Sequence, residues 1–228
     1  MWVYGGQARA QIGAVSGREV TAMFARVTRF QSSPDQLEGL IGMYQQELAP
    51  ALGSQPGNVG AALLVDRATA GGQAISYWDS AQSLQASEEA AAPLRERAAQ
   101  AGSQIGEIDR FEIVIQERTG SPRANTFVRV NDFRGSPANI DEAITFARGR
   151  VLPALKAQKG FLANVVCVNR QTGRLIASSI WETAADREAS EPVVQDLRRE
   201  AGRLANSTDV RVELYETAFV EIKQTARV

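Results

Sequence analysis

The stretch FARVTRFQSSP at residues 24–34 returns as FVRVNDFRGSP at residues 127–137. Phe24, Arg26, Val27, Phe30, Ser33 and Pro34 fall on Phe127, Arg129, Val130, Phe133, Ser136 and Pro137. Self-similarity at a fixed period is read before any local pattern, because it decides the architecture that local patterns must fit. Worked outward at an offset of 103, the register holds. Pro50, Ala51 and Leu52 meet Pro153, Ala154 and Leu155; Gly57 meets Gly160; Trp78 meets Trp181; Ser87 and Glu88 meet Ser190 and Glu191; Leu94 and Arg95 meet Leu197 and Arg198. Over residues 23–103, 25 of 81 positions are identical without a gap, so the chain is one unit written twice. By Arg110 and Glu112, which match Arg211 and Glu213, the offset is 101, as a two-residue deletion in a loop would give.

Each copy reads as strand, helix, strand, strand, helix, strand. Residues 24–30 and 127–133 are rich in aromatic and β-branched side chains and read as first strands. Ser33-Pro34 and Ser136-Pro137 place a capping hydroxyl before a proline suited to a first helical position. Leu37, Leu40, Ile41, Tyr44 and Leu48 then recur at helical spacing, as do Ile140, Ala143, Ile144, Ala147 and Val151, and Pro50 and Pro153 are expected to kink the last turn. Gly57 and Gly160 suit chain reversals, after which residues 59–65 with 73–78, and 162–168 with 174–181, read as hairpins. Ser80 and Thr183 are expected to cap second helices running to about Ala101 and Leu204, and strands at 108–116 and 210–215 close the copies.

That order is βαββαβ, the ferredoxin-like unit, whose sheet has helices on one face and nothing on the other. Two copies on one chain bury both open faces by packing sheet against sheet. The expected fold class is therefore α+β: two tandem ferredoxin-like units forming an intrachain pseudo-dimeric α/β barrel. The expected division is a flexible extension at 1–22, a first repeat at 23–117, a polar linker at 118–125, a second repeat at 126–222 and a tail at 223–228. Met23 stands directly before the first strand, so folding is expected to begin there, with Met1 an over-extended start.

Composition narrows the chemistry. The 228 residues include no histidine, which excludes Ser-His-Asp and Cys-His mechanisms and imidazole ligation of zinc or haem. The single cysteine, Cys167, forms no intramolecular disulfide or multi-thiolate metal site, fits a reducing, cytoplasmic setting, and lies in an apolar strand where a structural thiol is expected. With 25 Lys plus Arg against 26 Asp plus Glu, the net charge of −1 gives no electrostatic footprint for nucleic acid, and no apolar run is long enough for a membrane helix. Neither a cofactor nor a metal is expected.

YWDSAQSLQASEEA at residues 77–90 and IWETAADREASEPV at residues 180–193 resemble the strand-to-helix junction of antibiotic-biosynthesis-monooxygenase-like domains, of the dimeric α/β-barrel superfamily. The resemblance covers both copies. It implies the barrel fold, a pocket between sheet and helices lined by the tryptophan at Trp78 and Trp181, and cofactor-independent oxygenation of a small aromatic, polyketide- or quinol-like molecule. Haem-degrading members carry a histidine nine or ten residues beyond that tryptophan, where this chain has Ser87 or Glu88 and Ser190 or Glu191. The asparagine that monooxygenases of the family hold near the substrate has no matched pair here, since Asn58 and Asn164 do not correspond between copies.

The candidate site residues are Trp78, Arg26, Trp181 and Arg129. Alternation puts Ala74, Ser76 and Trp78 on one strand face, and Ala177, Ser179 and Trp181 on its equivalent, so small residues flank a large one. Each tryptophan reads either as a pocket wall on which a flat ligand stacks or as a core anchor for the second helix. Arg26 and Arg129 sit mid-strand and need an acceptor: a developing phenolate or enolate, or else Glu112 or Glu213 on the last strand. Glu88 and Glu191 read as solvated helix acids. Tyr44 and Tyr77, replaced by Ala147 and Ile180, favour the first pocket as the working one, with Tyr77 turned towards the interface between copies. The alternative is a non-catalytic protein of the same fold, either structural or binding a small apolar or aromatic ligand in the same pocket.

Overall fold

The structure is a computed structural model describing residues 23–121 and 123–223. The proposed extension at 1–22 and nearly all of the tail lie outside the described residues.

Copy one contains β1 (Met23–Gln31), α1 (Leu37–Met43), α2 (Ala49–Gly53), β2 (Asn58–Asp66), β3 (Gly71–Trp78), α3 (Ala81–Ala86), α4 (Glu88–Gln100) and β4 (Gln104–Arg118). Copy two repeats it as β5 (Phe127–Arg134), α5 (Ile140–Phe146), α6 (Leu152–Lys156), β6 (Phe161–Asn169), β7 (Arg174–Trp181), α7 (Ala184–Ala189), α8 (Glu191–Leu204) and β8 (Val210–Ile222). All eight strands form one closed antiparallel barrel in the order β1-β3-β2-β8-β5-β7-β6-β4. Each copy supplies half of it, and the last strand of each is longer than its sequence pattern suggests because it serves both halves. The first part of β4 pairs with β1 and residues 112–118 pair with β6; likewise β8 pairs with β5 and then with β2. These long strands close the barrel and leave no open edge.

Pseudo-equivalent residues of the two copies meet inside the barrel. Arg29 reaches Asp132, its counterpart, at 2.8 Å, while the counterparts Tyr77 and Ile180 wall one interior cavity. The pseudo-twofold axis therefore runs along the barrel axis. An apolar plug of Val27, Leu64, Phe111, Val128, Val130, Ile176 and Tyr215 fills the middle. At one end, Arg29 and Arg174 share Asp132, with Glu213 2.5 Å from Arg29 and Asp109 2.7 Å from Arg174. Burial alone would raise the Asp132 carboxyl, but the bonds and charges of Arg174 and Arg29 hold it below the usual carboxylate range.

Outside the barrel, the helices of each copy cover their own half-sheet, burying Phe30, Leu40 and Leu63 in copy one and Phe133, Ile140 and Val168 in copy two. Gly57 and Gly160 turn the chain at φ of 76° and 71°, and a Cβ there would strike Ser83 or Asp186 in the next helix. Three local features depart from the sequence pattern. Ser33 and Ser136 do not cap the first helices by their side chains; the prolines open short turns instead, and α1 and α5 start at Leu37 and Ile140. Pro50 and Pro153 stand at the second positions of α2 and α6, which continue the first helices. The turns before them, Tyr44–Leu48 and Ala147–Val151, widen to π-helix, with Ala49 N–H bonded to the Tyr44 carbonyl and Leu152 N–H to the Ala147 carbonyl. Widening relieves the clash a proline ring makes with the carbonyl four residues back. Finally, the second helices break at Ser87 and Ser190. Ser80 and Thr183 do cap them, accepting from Ser83 N–H at 3.1 Å and Asp186 N–H at 3.0 Å. Among the described residues no helix is long and apolar enough to cross a membrane.

Candidate functional site

The break at Ser87 explains where Arg26 goes. Ser87 Oγ donates to the Leu84 carbonyl at 2.8 Å, drawing the last turn of α3 together and ending the helix. Arg26, 3% exposed, crosses from β1 and donates Nη2 to the Leu84 carbonyl at 2.8 Å and to Ser87 Oγ at 2.9 Å. Its Nη2 lies 3.1 Å from Glu88, which opens α4. Arg129 repeats the arrangement: Nη1 donates to Ser190 Oγ at 2.8 Å, Nη2 to the Arg187 carbonyl, and Nε lies 3.1 Å from Glu191. The acceptors of these mid-strand cations are thus the helix break and its following acid. Glu112 and Glu213, expected from the sequence, bind Arg170 and Arg29 instead. Nor are Glu88 and Glu191 merely solvated. Burial works to raise the Glu88 carboxyl, but bonds from Arg95 and Arg110 and the charge of Arg26 outweigh it and hold it low. Glu191 is bound by Arg198 at 2.5 Å as well as by Arg129.

Each tryptophan belongs to the same clamp. Trp78 and Trp181 are fully buried, donate Nε1 to Ser76 and Ser179 Oγ at 3.0 Å, and lie under Arg26 and Arg129 with the guanidinium carbons 5.8 and 6.0 Å from the rings. Neither indole is part of the wall of the cavity between sheet and helices in its own copy.

The hollow beside them is real, and differs between copies. In copy one a cavity of about 70 Å³ lies between the sheet and the helices, walled by Arg26, Thr28, Tyr44, Ala74, Ser76, Arg95 and Ser103 among apolar neighbours. Tyr44 is buried, donates to the Ala62 carbonyl at 3.1 Å, and has its hydroxyl pushed upward by burial, so it stays protonated. Four buried polar atoms of that wall have no hydrogen-bond partner among the described residues: Arg26 Nε and Nη1, Arg95 Nη1 and Ser103 Oγ. No carboxylate belongs to the wall. In copy two the corresponding cavity is about 50 Å³, and its polar wall is Asn131, Asn164 and Arg198; Arg129 is not part of it. Asn131 replaces Thr28, Asn164 replaces Ala61, and Ala147 replaces Tyr44.

Of the candidates read from sequence, Arg26 alone reaches a cavity wall, while Arg129, Trp78 and Trp181 are behind theirs. Arg95 and Ser103 had no signal beyond the identity of Arg95 with Arg198. An arginine on a helix and a serine after its end stand out only when the arginine is half-buried, the serine is buried and each holds an orphaned polar atom. Among the described residues no cluster of three His, Cys, Asp or Glu side chains could hold a metal ion. Cys167 is buried in the barrel, and its thiol is pushed up to about 12 by burial, which makes it inert as a nucleophile.

No family model matches the chain. It is 26% identical over 189 residues to the uncharacterized protein Rv2557 of Mycobacterium tuberculosis H37Rv, covering 81% of this chain and 84% of that one. To the uncharacterized protein Rv2558 of the same organism it is 24% identical over 222 residues, covering 97% and 94%. Among solved structures, an anthrone oxidase-like protein superposes with a TM-score of 0.66 at 17% identity, covering 92% of this chain and 98% of the other. A "putative monooxygenase" of Fusobacterium nucleatum superposes at 0.67 with 13% identity, covering 90% and 96%. At these identities the likeness is one of fold alone.

Proposed function

We propose that copy one binds a small, largely apolar molecule carrying an anionic oxygen, with the oxygen on Arg26, Arg95 and Ser103. The observation that carries this reading is that three residues bordering an otherwise apolar cavity, Arg26, Arg95 and Ser103, hold four buried polar atoms with no hydrogen-bond partner among the described residues. A buried polar group without a partner costs about 1–3 kcal/mol, and more when charged. A carboxylate, phenolate or enolate supplies acceptors for all of them at once. The size of the cavity limits the rest of the molecule. A dry cavity of about 150 Å³ takes up benzene, so 70 Å³ admits a single ring only as the helix above it moves outward. The π-helical turn that carries Tyr44 and Leu48 is where that movement is accommodated.

Oxygenation without a cofactor is the second reading, favoured by the same donors and by the names of the two fold neighbours. A ring CH₂ whose carbanion is stabilised as an enolate reacts as R₂CH₂ + O₂ → R₂C=O + H₂O. Here the proton passes to solvent water, with Arg26 and Arg95 lowering the pKa of the ring CH₂ by stabilising the enolate, since the wall holds no carboxylate or imidazole to accept it.

The test is a ¹⁹F NMR titration with 4-fluorobenzoate. The expected result is saturable binding, weakened roughly 10-fold or more by Arg95→Gln and by Ser103→Ala. Titrations unchanged by both substitutions would remove the reading. Oxygen uptake with anthrone separates the two uses: consumption of one O₂ per anthrone, lost in Arg95→Gln, supports turnover, and uptake equal to the protein-free rate leaves binding alone.

A further inference from the structure

A third cavity lies on the pseudo-twofold axis, inside the barrel and away from both helical layers. It occupies about 80 Å³ and is walled by both copies, with Ala25, Val27, Ile75 and Tyr77 facing Val128, Ile176, Ser178 and Ile180. One end is stopped by Gln73, which donates to Glu213 at 3.0 Å in the Arg29–Asp132 ion cluster. The other end is formed by Gln116, Arg118 and Thr217 from the final strands. Arg118 is exposed, is the last residue of β4, and makes no ion pair among the described residues, although almost every other arginine of the barrel is paired. Its charge is felt by the Tyr77 hydroxyl within.

The asymmetry of the pair Tyr77 and Ile180 makes this cavity. Two tyrosines meeting on the axis would fill it and two isoleucines would leave it wholly apolar. One of each leaves a tube whose middle is mainly apolar, with the Tyr77 hydroxyl and Ser178 in its wall and a cation at the mouth.

We infer that the barrel interior is a second binding site, for a short-chain aliphatic carboxylate whose tail enters between Tyr77 and Ile180 and whose head meets Arg118. Charge decides the head group: the only ionic side chain of the wall is cationic. Volume decides the tail. About 80 Å³ is roughly half the space that takes up benzene, which suits a chain of a few carbons rather than a ring. The site is separate from the copy-one cavity, with which it shares only Ile75.

Calorimetric titration of the full chain with pentanoate, pentan-1-ol and pentylammonium tests this. Pentanoate is expected to bind, with pentan-1-ol at least 5-fold weaker and pentylammonium undetectable. Because Arg118 is exposed, Arg118→Glu leaves the fold intact; it is expected to weaken pentanoate at least 10-fold and to admit pentylammonium. Filling the tube by Ile180→Trp abolishes binding, and Ser178→Leu repeats that test with a smaller change. Ser103→Ala, which alters only the copy-one cavity, leaves pentanoate affinity unchanged. Pentanoate binding that ignores Arg118→Glu, that is lost in Ser103→Ala, or that is absent from the unaltered protein overturns the inference. The loss in Ser103→Ala would place the ligand in copy one and leave that reading standing.

Discussion

The two copies keep the same clamp and build different cavities beside it. Arginine, tryptophan, serine and glutamate meet the same partners in both, through different guanidinium nitrogens: Arg26, Trp78, Ser87 and Glu88, then Arg129, Trp181, Ser190 and Glu191. The walls diverge, from Thr28, Ala61 and Tyr44 to Asn131, Asn164 and Ala147, and Ser103 belongs to the first wall alone. The clamp works as architecture, fastening the break between α3 and α4, or α7 and α8, onto the sheet. The residues that changed are those of the cavity walls. Each tryptophan packs under its clamp arginine, and Arg26 holds the helix with Nη2 while its Nε and Nη1 have no hydrogen-bond partner among the described residues.

The largest expected effect makes copy one resemble copy two. Tyr44→Ala removes a fully buried ring packed edge-on against Phe219 at 5.7 Å and should cost about 3–5 kcal/mol in urea denaturation. Ala147→Phe, the reverse exchange in copy two, should change stability far less, because a cavity of about 50 Å³ receives part of the ring. Next, the clamp is tested for its sameness. Arg26→Met and Arg129→Met should each cost about 3 kcal/mol, at the low end for a broken buried pair because Glu88 and Glu191 keep Arg95 and Arg198. Losses differing by more than about 1 kcal/mol would break the equivalence of the two clamps.

Where the copies meet, their sequences are complementary rather than alike. Arg29 and Asp132 occupy equivalent positions, and in a barrel made of two identical units each would face its own charge. Asp132→Asn should cost about 2 kcal/mol at neutral pH. The pH dependence follows from the depressed carboxyl. Its stabilisation is fully present above the unfolded value of about 3.9 and is lost as pH falls through the lower folded value. Denaturation of the unaltered protein should therefore steepen below about pH 4, and Asp132→Asn should reduce that slope. An unchanged slope would remove the ion cluster from the acid response.

The smallest stability effect carries the sharpest functional contrast. Ser103→Ala deletes a buried hydroxyl that has no partner and should leave stability unchanged or raise it by up to about 1 kcal/mol. The same substitution should weaken 4-fluorobenzoate by roughly 10-fold. A residue kept only for packing would move both quantities together.

The duplication, the strand order and the barrel were legible because they rest on long-range identity and on periodicity, which survive local irregularity. Phe24–Phe30 and Gly57 could be placed by pattern alone. The π-turns before Pro50 and Pro153 could not, since a proline late in a helical pattern reads as a kink, and only the surrounding packing decides that the helix continues. The breaks at Ser87 and Ser190 were invisible because a serine within a helical pattern is ordinary until an arginine from another strand reaches its hydroxyl. Arg26 could be singled out by its place in a buried strand, but Glu88 as its partner required knowing how α4 crosses the sheet. Ser103 and Arg95 mark the limit of sequence reasoning here: their importance is the absence of partners, a property of the folded wall and not of any motif.

The most direct test of the account is the position of a heavy atom. A crystal of the full chain soaked with 4-iodobenzoate should show one iodine anomalous peak in the copy-one cavity beneath Tyr44 and Leu48, with its carboxylate between Arg26, Arg95 and Ser103. Equal peaks in both helical cavities, or a peak in copy two alone, would contradict the claim that the clamp is shared and the binding site is not.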